Sequence, residues 1–140
     1  PDGFQMSIEL RHPGWFENRD TFLGLAEYLR TKNQGMVITD VAGRRDVLHM
    51  HLSSRYCQIR FVGNGLHATD FERVDAWVER IKTWKDGGLN EIYFFAHEPD
   101  NLLAPELAAY IYEKIKDLTR VKSRGVDLDK YQKGQQSLFD

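Results

Sequence analysis

Four polar residues stand in or at the ends of short apolar runs. Glu9 lies in Met6-Ser7-Ile8-Glu9-Leu10-Arg11, and Asp40 closes Met36-Val37-Ile38-Thr39. Arg60 lies in Tyr56-Cys57-Gln58-Ile59-Arg60-Phe61-Val62, and His97 closes Ile92-Tyr93-Phe94-Phe95-Ala96. Carboxylates, guanidinium groups and imidazoles gathered at one mouth would bind an anionic substrate and move protons. On that reading Glu9, Asp40 and His97 are the acid/base candidates, and Arg11, His12 and Arg60 hold the substrate. The plainer account is that Glu9 and Arg60 are buried and simply pair with one another, since a buried charge needs a partner.

Gly63-Asn64-Gly65-Leu66-His67-Ala68 has the form G-x-G-x-x-A after a strand and before a helix. A dinucleotide fingerprint needs the helix to begin within the motif and an acid about 20 residues further on. Here Thr69 or Asp70 is the expected helix cap, and Glu98 lies too far along. The reading kept is looser: Gly63, Asn64 and His67 sit beside Arg60, where backbone amides can hold a phosphate or carboxylate. His12, His67 and His97, with Glu9 or Asp40, are ligands of the type zinc or manganese accepts, but none has the tight spacing of H-E-x-x-H, so no metal site is assigned. No cofactor is assigned either. Cys57 reads as a small buried hydrophobe, and Trp77 and Trp84, seven residues apart, read as helix core.

At the other end of the chain, Gln135-Gln136-Ser137-Leu138-Phe139 resembles the bacterial sliding-clamp-binding pentapeptide. In that resemblance Gln135 fills a small polar site while Leu138 and Phe139 enter an apolar pocket.

The elements that must position these residues follow from periodicity. Met6–Arg11 is a short strand followed by the turn signal His12-Pro13-Gly14. A helix begins near Asn18 or Asp20, with Phe22, Leu25 (with Ala26) and Leu29 at helical spacing. Residues 36 to 39 form a buried strand, and residues 41 to 54 a polar connector with Arg44, Arg45, His49 and His51. Residues 56 to 62 form the third strand. The next helix buries Val74, Trp77, Val78, Ile81 and Trp84 and ends at Gly87-Gly88. Residues 92 to 96 form the fourth strand. Pro105 opens a last helix that buries Leu107, Ala108, Ile111, Tyr112 and Ile115. Strands alternating with helices give an α/β fold with a parallel sheet.

The 140 residues suit one domain, and 41% hydrophobic with 29% charged residues is the balance of a globular protein. A net charge of −2 supplies no global field for direct nucleic-acid binding. A single cysteine excludes an intrachain disulfide and a Cys-rich zinc site. No apolar run approaches the roughly 18 residues of a membrane span. A cytoplasmic protein with no membrane partner is expected. The chain opens at Pro1-Asp2-Gly3 with no initiator Met, which reads as a fragment or a processed product.

Ile8-Glu9-Leu10-Arg11-His12 with Trp15-Phe16 resembles the E-x-R-H-x-x-W strand and turn of the YecE-like family, the domain of unknown function numbered seventy-two. In family order, Asp40 after an apolar strand, Ile59-Arg60-Phe61 before Gly63, Asp75 to Ile81 with Trp77 inside, and Tyr93-Phe94-Phe95 resemble its later segments. Two positions depart from the pattern: the family's His before Gly is Val62 here, and its paired Asn at the last strand end are Ala96 and His97. The resemblance implies a TIM-like β/α-barrel, of which residues 1–118 would supply the C-terminal half as four parallel strands with outer helices. Residues 119–140 then form a polar tail.

Half a barrel would expose two sheet edges, so the chain is expected to pair with its missing N-terminal half or with a second copy of itself. Two functions stay open. One is an enzyme, or degenerate enzyme, acting on an anionic or phosphorylated small molecule at the C-terminal ends of the strands. The other is a non-catalytic scaffold whose tail recruits a DNA sliding clamp.

Overall fold

A computed structural model describes residues 4–118, so the tail residues Gln135, Leu138 and Phe139 lie outside the described residues. The element order is β1 (Ser7–Ile8), α1 (Gly14–Glu17), α2 (Arg19–Thr31), β2 (Gly35–Val41), a 3-10 turn (Arg45–Val47), β3 (Tyr56–Val62), α3 (Ala68–Asp86), β4 (Glu91–His97) and α4 (Ala104–Ile115). The four strands form one parallel sheet in the order β1-β2-β3-β4, the α/β alternation that the sequence implies.

Local chemistry sets the element boundaries. Asn18 is the cap of α2: its side-chain oxygen accepts from the backbone N–H groups of Asp20 and Thr21, both at 3.0 Å. Pro105 lies in the first turn of α4. Gly88, at φ +95°, supplies the left-handed residue that ends α3. β1 is shorter than the run Met6–Arg11 suggests, leaving Glu9 and Arg11 beyond the paired residues.

The chain divides into two compact units. The first holds the described residues up to Val62 together with Thr83–Phe95. Its sheet has two distinct faces, because side chains alternate along a strand and cross-strand partners share a face. Ile38 pairs with Ile59 and Asp40 with Phe61, while Val37 pairs with Gln58 and Thr39 with Arg60. Met36 clusters with Ala26 and Leu29 of α2, which identifies the Met36-Ile38-Asp40 side as the face against that helix. The rings of Phe61 and Phe94 lie 5.9 Å apart on this same face. Tyr93 and Phe95 therefore point the other way, and they are 44% and 46% exposed. Cys57 is buried, and burial pushes its thiol up to about 12.

The second unit holds Gly63–Lys82 and the described residues from Ala96 onward. Val74, Trp77, Ile81, Leu107 and Ile111 are its buried apolar residues. The Phe71 and Tyr110 rings meet edge-on at 4.8 Å, and Asp75 accepts from Tyr110 and pairs with Lys114. Trp77 is core, as its spacing predicts. Trp84 belongs to the first unit and is half-buried at the lining of a cleft instead.

Candidate functional site

In the first unit, three polar side chains converge on Glu9 where the strands end. Arg11 Nη2 donates to Glu9 Oε2 at 2.8 Å, Thr39 Oγ1 donates to Oε1 at 3.1 Å, and Arg60 Nη1 stands 3.5 Å from Oε1. Register explains the meeting, since Thr39 and Arg60 are direct cross-strand partners on the face away from α2. Burial pushes the Glu9 carboxyl up, but the hydrogen bonds from Arg11 and Thr39 and the charges of Arg11 and Arg60 outweigh it. The net direction is down, so Glu9 holds its charge into acid.

These residues line a cavity of about 130 Å³, with Leu10, Val41, Arg44 and Val47 completing the wall. Arg44 makes two hydrogen bonds to Asp46, at 2.9 and 3.0 Å. Three guanidinium groups thus border a space with Glu9 as its one lining carboxylate. A space this small suits the anionic group of a ligand rather than a whole ligand, whose pockets run to roughly 300–1,000 Å³.

Asp40 does not join this group. It follows Thr39 and so faces α2, where it is 2% exposed and paired with Arg45. His12 is exposed and turned back on its own loop: its Nδ1 accepts from the Gly14 N–H at 3.1 Å, closing the turn before α1.

The second unit contains the glycine segment, and there four of the five amides from Gly63 to His67 are already committed. Gly63 N–H donates to the His97 carbonyl at 2.8 Å, and Gly65 N–H to Glu98 Oε2 at 2.9 Å. Asn64 N–H and His67 N–H both donate to Asp70 Oδ2, at 2.7 and 3.0 Å. A phosphate reaching this turn would have to displace a carboxylate. The expected cap at Thr69 or Asp70 also moves forward, because α3 begins at Ala68. His67 precedes the helix, and its Nδ1 accepts from Thr69 N–H at 3.3 Å, while Asp70 reaches back to the His67 amide in the manner of a capping box. The helix thus begins at the last residue of the G-x-G-x-x-A segment, as a dinucleotide turn would, but the occupied amides remove that turn's phosphate cradle. His97 is an exposed residue at the end of β4.

Sequence reasoning assigns no role to two residues that matter here, and gives a third, Glu98, only a place beside His97 among the strand-end residues. Thr39 was hidden in an apolar run, and Arg44 in a polar connector. Glu98, 4% exposed, has an oxygen, Oε1, with no hydrogen-bond partner among the described residues. Its position directly after a strand marks Glu98 in the sequence, but its contact with the Gly63–Gly65 turn does not show there. Among the described residues, no group of three or more His, Cys, Asp or Glu is placed to hold a metal ion. No described helix is long and apolar enough to cross a membrane.

Residues 1–130 match the family model described as protein of unknown function DUF72. Two curated proteins called UPF0759 protein YecE, from Escherichia coli K12 and Escherichia coli O157:H7, are each 26% identical over 134 residues. Those matches cover 83% of this chain and 48% of each relative, so the chain spans about half the length of the curated relatives it matches. A solved DUF72 family protein from Enterococcus faecalis shares the fold at a TM-score of 0.59 with 13% identity, over 89% of this chain and 50% of the other.

Proposed function

The chain belongs to the family of proteins of unknown function DUF72, and from that premise we propose that it binds the anionic group of a small molecule, a phosphate or carboxylate, at the C-terminal ends of its strands. The observation that carries this reading is the cavity bordered by Arg11, Arg44 and Arg60 with Glu9 as its one lining carboxylate, Asp46 pairing with Arg44 from outside the lining. Parallel α/β sheets bind their ligands at this end of the strands. Glu9 aligns Arg11 and Arg60 while Asp46 holds Arg44, and an arriving anion competes with these carboxylates for them. Arg11 or Arg60, on turning to the ligand, takes away a charge that holds Glu9 ionised, which raises its affinity for a proton. Glu9 is accordingly the acid/base candidate of this unit, and it becomes one on binding.

Calorimetric titration of the full chain with inorganic phosphate, acetate and phenyl phosphate tests this reading. Arg60→Gln is expected to weaken the best of these about tenfold, the loss of one charge-assisted hydrogen bond. Arg30→Gln, a surface pair with Glu27 on α2, is expected to change nothing. Equal binding by the Arg60 variant and the parent would refute the assignment.

The same premise supports a reading of the sheet as half of an eight-stranded barrel, completed by its missing N-terminal half or by a second copy of the chain. Four strands, a coverage of about half of the longer relatives and half-exposed aromatic side chains on the face away from α2 all favour one or the other.

A further inference from the structure

We propose that the cavity around Glu9 takes the head of an α-amino acid, with Arg60 and its neighbouring guanidinium groups on the carboxylate and Glu9 on the ammonium. The inference rests on the anion reading above and names the class of ligand for that same site.

The lining sets the charge pattern. Arg11, Arg44 and Arg60 are positive, Glu9 is negative, and all four border one space. A bare anion matches only part of that pattern. When it draws Arg11 or Arg60 to itself, Glu9, whose side chain is 19% exposed, loses a partner. A carboxylate held away from water without partners is destabilising. A ligand that brings its own cation restores the balance, because its ammonium takes the place the guanidinium gives up.

The hydrogen bonds leave room for that exchange. An ionised carboxylate offers about four lone-pair sites. In Glu9, Arg11 fills one on Oε2 at 2.8 Å, and Thr39 fills one on Oε1 at 3.1 Å. The second site on Oε2 has no donor among the described residues. Arg60 stands 3.5 Å from Oε1, beyond the roughly 2.7–2.9 Å of a full charge-assisted hydrogen bond. Arg11 and Arg44 each hold a carboxylate at 2.8 to 3.0 Å, so Arg60 is the least committed of the three. Its guanidinium suits the two oxygens of a carboxylate. The Glu9 carboxyl is held below its ordinary range, so Glu9 is an acceptor and takes a donor from the ligand.

The size agrees. A cavity of about 130 Å³ is the space of about four water molecules, enough for one carbon with its amine and carboxylate. The side chains of Leu10, Val41 and Val47 complete the wall and offer that carbon apolar contact. Phosphate brings no cation, and a simple amine brings no anion. An amino acid brings both on one carbon.

The test is an amide-detected NMR titration of the full chain with L-alanine, propionate, alaninamide and L-lactate. Alanine is expected to shift the amides of Leu10, Thr39, Val41 and Val47. Propionate lacks the ammonium and alaninamide lacks the carboxylate, so each should bind about tenfold more weakly. Lactate, with a hydroxyl in place of the ammonium, should also bind more weakly than alanine. Glu9→Gln should erase the advantage of alanine over propionate, whereas Arg60→Gln should weaken both alike. The ligand series on the parent chain decides the matter even where a variant fails to fold. Propionate or lactate binding as tightly as alanine would overturn this inference and leave the anion reading standing. Shifts at these residues from none of the four ligands would overturn both.

Discussion

The carboxylate of Glu98 lies directly over Gly63. A β-carbon at Gly63 would stand 2.6 Å from Glu98 Oε2 and closer still to Oε1. Gly63→Ala is therefore expected to destabilise the protein by about 1–3 kcal/mol, the usual cost of overpacking a buried position. Adding Glu98→Ala should recover part of that loss, because the clashing group is gone. Urea denaturation of the two single variants and the double variant measures this. A Gly63→Ala protein as stable as the parent would show that the loop yields freely.

His49 joins the connector to β2. Its Nε2 lies 3.1 Å from the Val37 carbonyl, and its Nδ1 accepts the His51 N–H at 3.4 Å, so the ring donates from Nε2 and is neutral. Phe16 and Phe22 lie against it, with ring centroids 5.9 and 5.2 Å away. Burial pushes its pKa down, and the nearby charge of His51 acts in the same direction, outweighing the two backbone hydrogen bonds. A histidine whose folded pKa is depressed contributes stability that is present above its ordinary value near 6.5 and is lost as pH falls through the folded value. Stability is thus expected to decline between neutral pH and mild acid, and to decline less in His49→Gln. Thermal melting of both proteins across that range checks the sign. Parallel profiles would remove His49 as the cause.

Tyr93 and Phe95 share one face of β4 and are almost half exposed. Large apolar side chains side by side on a strand call for cover. If a second copy supplies it, light scattering after size exclusion gives the mass of a dimer. Tyr93→Ser with Phe95→Ser should shift that mass toward the monomer while leaving the circular dichroism unchanged. A parent protein that stays monomeric at high micromolar concentration would rule out the second copy as partner.

Much of this was legible in the residues. Asn18 is a cap by chemistry, and the recurrence of Phe22, Leu25 and Leu29 specifies a helical face whatever surrounds it. Three runs rich in Val, Ile and Phe, broken by glycine turns, specify strands, and their alternation with helices specifies a parallel sheet. The polar residues at the ends of those runs were legible as candidates for the same reason.

Which candidates meet was not legible, because a strand turns each successive side chain to the opposite face. Six consecutive residues of β2, from Gly35 to Asp40, are buried. No alternation of polar and apolar residues therefore marks which side Asp40 takes. Register against β3 decides it: Thr39 falls beside Arg60 and turns toward Glu9, while Asp40 falls beside Phe61 and turns toward α2. Sequence determined which residues carry charge and which segments are extended. Tertiary pairing alone determined that Glu9 collects Arg11, Thr39 and Arg60, and that the Gly63, Asn64, Gly65 and His67 amides are spent on Asp70, Glu98 and the His97 carbonyl, because those partners are brought within reach by hydrogen bonds between segments that local preference does not encode.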